Sequence, residues 1–115
     1  MIDTAIAISQ GDIKSLEKLY ESKNQDEVWD FINQHPFLLP ALLEAPAKIH
    51  KYFPDAPLFL EVAYDPEISN LVQLLLSIPT DLEPKEAINR QNELDKEWWH
   101  HLSYEVWNKL CILLI

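Results

Sequence analysis

The chain has 115 residues, 48% of them apolar, and a formal net charge of −10 at pH 7. This length and apolar fraction exclude a disordered chain and predict one domain over residues 1–115 with a modest core. An acidic surface repels nucleic-acid phosphates and anionic membranes, so neither is an expected partner. A protein partner should be basic, unless the charge serves only to keep a small protein soluble.

Gly11 is the only glycine of the sequence and Cys111 the only cysteine. Phosphate-binding loops and dinucleotide turns need several glycines, so a nucleotide-binding enzyme of the usual kinds is not expected and no cofactor is predicted. A single cysteine excludes an internal disulfide. No apolar run has the length of a membrane span, and residues 1–8 lack the basic region of a secretory signal. We therefore expect a cytoplasmic protein.

Residues 1–53 are predicted to be mostly helical. Gly11 is expected to end a short helix over residues 4–10. Asp12 is expected to cap a second helix over residues 13–21. The chain should therefore begin with two short helices separated by a glycine.

Two more helices are predicted before the first strand. Asn24 and Glu27 have the spacing of a capping box and should open a helix that ends at His35 and Pro36. The apolar stretch that follows is also expected to be helical. Pro46 lies inside this stretch and should kink or split the helix.

Two apolar runs, 58–64 and 71–78, flank a turn that contains Asp65 and Pro66. Apolar and polar side chains alternate in these runs, which is typical of strands with one buried face. Pro79 should end the second strand, because proline has no N–H for a ladder. A β-hairpin is therefore predicted. The side chains expected to be buried in the hairpin and the next helix are Leu60, Val62, Leu74, Leu76, Ile88 and Trp98.

An amphipathic helix is predicted after the hairpin. Glu83 precedes Pro84, and proline suits the first helical position because its missing N–H is not needed there. Apolar residues then recur at three- and four-residue spacing, which predicts a face that packs on the hairpin. Gln91 and Asp95 interrupt this face, so a break or bend is expected near residues 92–95.

Residues 110–115 are wholly apolar, a pattern that fits either a buried strand or a buried helix end. β-Branched isoleucine at two positions favours a strand that pairs with the hairpin. The predicted fold class is α+β: N-terminal helices (1–53), then a β-hairpin, an amphipathic helix and a final strand (57–115), forming a small antiparallel sheet. An apolar end must be covered by the core or by a second subunit, so we expect a homodimer that tightens as salt rises.

Several short motifs carry a resemblance to a known family. They are LxLEVxxDPE over residues 58–67, LxLxI over 74–78, Glu86-Ala87 and DxxWW over 95–99. Together they resemble a family of small bacterial proteins, frequent in cyanobacteria, and the likeness covers residues 35–115. Glu83 departs from it, since the family has Ser or Thr before the proline, and Pro46 also departs. The family has no established activity, so the resemblance implies a fold and no function.

One cluster has the residue types of a metal site. Asp95, Glu97, His100 and His101 are close in sequence, and on a helix Glu97 and His101 would share one face. The cluster has no HExxH motif and no cysteine partner. Polar side chains on the solvated side of a helix are the simpler interpretation, so we expect no bound metal.

No pattern of catalytic residues is found. Asp65 and Glu67 are paired carboxylates of a kind used in acid–base chemistry, but turn formation alone explains Asp65 before proline. Trp99 is predicted either to pack beneath the N-terminal helices or to lie exposed as an interface anchor, because tryptophan is enriched at binding hot spots. Trp107 lies close enough in sequence to join it. The predicted interaction surface is therefore Trp99, Trp107, Asp65 and Glu67.

These features favour a non-enzymatic protein-interaction or regulatory module with a basic protein partner. A small metal-dependent or acid–base hydrolase is the alternative. A third hypothesis is a self-associating structural protein. A deep pocket with converging carboxylates and histidines would favour the enzyme, and an apolar patch with an acidic rim would favour the binding module.

Overall fold

The computed structural model describes residues 10–65, 67 and 71–115, and it combines helices with a four-stranded sheet. The helices are α1 (Gln10–Leu19), α2 (Gln25–Gln34), α3 (Leu38–Tyr52), α4 (Pro84–Glu97) and α5 (Tyr104–Lys109). The strands are β1 (Glu21–Ser22), β2 (Phe59–Tyr64), β3 (Val72–Ile78) and β4 (Leu110–Leu114), and a 3₁₀ turn spans Trp99–His101. The α+β class is confirmed, as are the start of α4 at Pro84 and the strand near the end of the chain.

The sheet has the order β1-β2-β3-β4 and is mixed, so the prediction of a purely antiparallel sheet is wrong. β2 and β3 form the predicted antiparallel hairpin. β1 runs parallel to β2, and β4 runs parallel to β3. In each parallel pair, two helices lie between the two strands in sequence. These helices carry the chain back to the end of the sheet at which the first strand began, so the second strand runs in the same direction as the first.

One face of the sheet carries the core. The register places Leu60, Leu76 and Ile112 in one row across the strands, and Val62, Leu74 and Leu110 in the next. Every strand residue in the core comes from this face, and the helices pack on it. The opposite face, with Phe59, Leu75 and Leu113, is half-buried or exposed.

The predicted core is confirmed at five positions and wrong at one. Leu60, Val62, Leu74, Leu76 and Trp98 are buried, whereas the side chain of Ile88 is 53% exposed. α4 buries the face defined by Ala87 and Leu94. Ile88 lies about 100° around the helix from Ala87, so it points away from that face. The expected break near residues 92–95 is also wrong, because α4 is continuous.

The N-terminal half differs from the prediction at the start of α1 and at the cap of α2. α1 runs through Gly11 and Asp12, since one glycine in a helix costs only about 1 kcal/mol. The short helix expected over residues 4–10 falls mostly outside the described residues. α2 begins where predicted, but Asn24 has a left-handed backbone (φ 56°) and its side chain makes no capping bond. Asparagine tolerates that conformation better than most residues.

Pro46 lies buried inside α3, and the helix does not split there. Proline has no N–H, so the carbonyl of Leu42, four residues earlier, loses its helical donor. The hydroxyl of Tyr20 takes that place and donates to the Leu42 carbonyl oxygen at 2.6 Å. Tyr20 is buried, and burial raises the pKa of its hydroxyl, which therefore keeps its proton. A residue between α1 and β1 thus completes the hydrogen bonding of α3.

No helix in the described part of the chain combines the length and the apolar character that a bilayer crossing requires.

We predict that Tyr20→Phe lowers the free energy of unfolding by about 1–3 kcal/mol, because it leaves a buried carbonyl unpaired. In a Pro46→Ala background the same change should cost at most about 1 kcal/mol, since the new N–H of residue 46 bonds to the Leu42 carbonyl. Urea denaturation of the four proteins of this double-mutant cycle measures the coupling. Equal costs in both backgrounds would contradict this role for Tyr20.

A second prediction tests which face of β3 is in the core. Leu74→Ala should lower the free energy of unfolding by about 2–5 kcal/mol, because Leu74 is fully buried and leaves a cavity. Leu75→Ala is the matched control: the neighbouring leucine faces the other way, and its removal should cost about 1–2 kcal/mol. Equal losses in denaturant unfolding would contradict the assignment of the faces.

Candidate functional site

Among the described strands, β4 lies at an edge of the sheet and has backbone groups that pair with no other strand. Ile115 donates its N–H to the carbonyl of Ile78 (3.0 Å) and accepts from the N–H of Thr80 (3.1 Å), so its backbone faces β3. Backbone groups alternate along a strand, so the N–H and C=O of Ile112 and Leu114 point to the other side. In the described part of the chain no strand pairs with that side.

A cleft of about 250 Å³ lies beside this edge. α4 contributes Gln91 and Asp95, and the segment after it contributes Trp99 and Trp107. β4 contributes its first three residues. We call this cleft, together with the outer edge of β4, the β4 groove.

Two local features place the tryptophans in the β4 groove. α4 ends at Glu97, so the chain turns at Trp98, whose ring is buried, and Trp99 is left half-buried beside it. Ser103 then caps α5 by accepting from the N–H of Val106. The indole N–H of Trp107 donates to the Trp99 carbonyl at 2.8 Å, and Trp107 remains 39% exposed. Two predicted surface residues therefore meet in one cleft.

Asp95 is a half-buried carboxylate of the β4 groove. Burial raises its pKa, and the nearby His100 imidazole opposes that shift. Asp95 accepts no hydrogen bond and forms no ion pair with any described residue. Asp95 was predicted only as a member of a metal cluster. The sequence feature that could have located Asp95 in this cleft is the interruption of the apolar face of α4 by two polar residues, Gln91 and Asp95.

Asp65 and Glu67 line no part of the β4 groove. They follow β2, where the N–H of Glu67 donates to the Asp65 carboxylate at 2.7 Å in a local turn. The rest of that predicted turn, Pro66 and residues 68–70, lies outside the described residues. The structure therefore joins Trp99 to Trp107 and leaves the two carboxylates elsewhere.

Glu97 connects two helices. Its carboxylate accepts from the Lys51 ammonium group at 2.7 Å and from the Tyr52 hydroxyl at 2.6 Å. The hydrogen bonds to Lys51 and Tyr52 lower the pKa of Glu97, and the same contacts raise those of Lys51 and Tyr52. The C-terminal ends of α3 and α4 are thereby held together.

The cluster with metal-ligand residue types does not form a helical face. Because α4 ends at Glu97, His101 is not one helical turn further along it, and the His101 ring instead contacts the Lys96 carbonyl at 3.0 Å. Within residues 10–65, 67 and 71–115, no three His, Cys, Asp or Glu side chains are grouped to hold a metal ion. The expectation of no bound metal stays a prediction, which elemental analysis of untagged protein tests.

A second cleft, of about 520 Å³, lies on another part of the surface. Its polar residues include Thr80 and Arg90. Arg90 donates to the Tyr52 carbonyl at 2.9 Å, and the Thr80 hydroxyl accepts from the N–H of Leu82. These groups stabilise the local backbone. Asp55 and Asp81 also line this cleft, but among the described residues neither carboxylate is hydrogen-bonded to the Thr80 hydroxyl.

No family model matches the chain. No curated protein and no solved structure matches it either. The resemblance to a family of small bacterial proteins therefore stays a prediction.

We predict that the contribution of Glu97 to stability depends on pH. Because the folded state lowers the pKa of Glu97, its charged form stabilises the protein above the ordinary value of 4.5, and this stabilisation is lost as pH falls through the lowered value. Glu97→Gln should therefore lower the melting temperature at neutral pH, and the difference from wild type should shrink below about pH 4.5.

The matched control is Glu93→Gln, on the same helix, where the carboxylate is exposed and pairs with the exposed Lys96 at 3.4 Å. Melting curves of both variants over a pH series make the comparison. A Glu97→Gln deficit of the same size at every pH would contradict a charge-based role.

Proposed function

We propose that this chain is a non-enzymatic protein-interaction module that binds another polypeptide in the β4 groove. The observation that carries the proposal is the unpaired outer edge of β4 beside Trp99 and Trp107. An exposed strand edge accepts an extended segment as an additional strand, and neighbouring pockets then select its side chains. Tryptophan at such a site supplies large contact area and is frequent at binding hot spots.

The two edges of the sheet differ in a way that supports this choice. β1, at the opposite edge, has only two residues, which is one of the ways proteins protect an edge from pairing. β4 has five residues, and Leu113 (38% exposed) and Ile115 (64% exposed) add apolar surface next to its edge. A partner strand on β4 would cover that surface.

Self-association is the second candidate, and the same edge favours it. Two copies of β4 related by a two-fold axis would pair antiparallel and bury Leu113 and Ile115. The net charge of −10 opposes such a contact, and salt screens this repulsion. A dimer of this kind would therefore tighten as salt rises, and sedimentation equilibrium at low and high salt measures that. The hydrolase alternative has no comparable support from the described residues.

Selection of binders from a library of random displayed peptides tests the proposal. Hydrogen exchange of the complex with the tightest binder should show new protection at the amides of Ile112 and Leu114. Leu113 is an internal control, because its amide faces β3 and is protected before binding. Protection elsewhere, or failure to select any binder, would overturn the proposed function.

Cys111 also allows a semisynthetic variant that tests the outer edge of β4 directly. A thioester of residues 1–110 can be ligated to a peptide of residues 111–115 in which the amide of Leu114 is N-methylated. This change removes one outward donor and blocks the edge, while the bonds to β3 remain. We expect at least about tenfold weaker binding than for the unmodified ligated chain, because the change removes one of the two outward amide donors and the methyl group keeps a partner strand at a distance.

A further inference from the structure

We infer that the segment bound in the β4 groove is extended and basic, with a lysine or arginine whose charged group meets the carboxylate of Asp95. This inference rests on the proposed function and adds the chemistry of the partner. Three observations lead to it: the outer edge of β4, the position of Asp95, and the lack of any lysine or arginine among the described residues that line the groove.

The edge sets the conformation of the partner. The outward groups of Ile112 and Leu114 are two residues apart, which is the repeat of a strand. Only an extended segment can pair with both, because a helix has no free backbone groups along its length. Every second side chain of that segment then points towards the layer of α4 and Asp95.

Asp95 sets the charge of the partner. It lines the same cleft as Ile112, it is half-buried, and it forms no hydrogen bond or ion pair with any described residue. The exposed His100 imidazole nearby offsets only part of the effect of burial on the pKa of Asp95. A carboxylate taken partly out of water is less stable in its charged form, and a cation brought next to it restores that stability. An apolar or acidic side chain at this point would increase the penalty instead.

The tryptophans suit the rest of such a side chain. Lysine and arginine carry apolar stems that pack on aromatic surface, and their charged groups are attracted to indole faces. Trp99 and Trp107 line the groove together with Asp95. The net charge of −10 also speeds the approach of a basic segment.

A second copy of the chain fits this site less well. In a two-fold contact the β4 groove of one copy faces the β4 groove of the other. No lysine or arginine is among the described residues that line it. Such a dimer would bring two Asp95 carboxylates towards each other, and neither groove would supply a lysine or arginine to pair with them.

The test compares peptides and variants in one binding assay. The probe is the tightest selected peptide, with its basic residue kept or replaced by norleucine, which has a similar stem and no charge. Fluorescence anisotropy should show the basic form binding about tenfold or more tightly to the wild-type chain, as for a charged hydrogen bond. Asp95→Asn should abolish this preference, and Glu93→Gln should retain it, because Glu93 is exposed on the same helix and lies outside the groove.

Each outcome decides something different. The inference is supported if Asp95→Asn, and not Glu93→Gln, loses the preference for the basic peptide. The melting temperature of Asp95→Asn should be at or above that of wild type, because the substitution removes a disfavoured charge. Peptides that protect Ile112 and Leu114 without a basic residue would overturn the inference and leave the proposed function standing. Protection of both amides in the chain alone, with dimers in sedimentation, would show that a second copy is the partner and overturn the inference. Absence of any edge binder would overturn both.

Discussion

The hydrogen bond from Tyr20 to the Leu42 carbonyl is the contact on which the arrangement of the helices depends. It supplies the donor that Pro46 lacks, so α3 continues as one helix to Tyr52. The C-terminal end of α3 carries Lys51 and Tyr52, which hold Glu97 at the end of α4. A helix split at Pro46 would not deliver those two side chains to Glu97. The end of α4 in turn fixes where Trp98 is buried and where Trp99 enters the β4 groove.

Elements with local signals could be predicted from the sequence. The hairpin follows from alternation with period two, β3 ends before Pro79, and α4 starts at Pro84, because each signal is a steric or hydrogen-bonding property of the residues at that point. The direction of β4 could not be predicted in this way. It depends on how α4 and α5 return the chain across the sheet, which is a property of the whole fold. The donor that pairs with the Leu42 carbonyl comes from Tyr20, far upstream of Pro46, and no local pattern reports that contact.

In the candidate site, too, some features could be predicted from the sequence and others could not. Trp99 was predicted either to pack beneath the N-terminal helices or to form an interface with Trp107. It is half-buried, and the two tryptophans line one cleft. Asp95 was grouped with Glu97 and His101 because helical spacing was assumed to continue through Trp98. The helix ends there, Glu97 turns to α3, and Asp95 stays beside β4. A single helix end therefore separates residues that the sequence places together.

Asp95 also bears on why an open strand edge is tolerable in this protein. An edge with only apolar neighbours would pair with any exposed strand, including that of another copy, and charges near an edge are a common protection against this. In the proposed binding mode Asp95 has both effects, since it disfavours apolar and acidic strands and favours a basic one. Specificity of this kind needs a feature that rejects wrong partners as well as one that attracts the right partner. The cost is a half-buried carboxylate in the free protein, and a local departure from good core packing of this sort is expected where a surface serves binding.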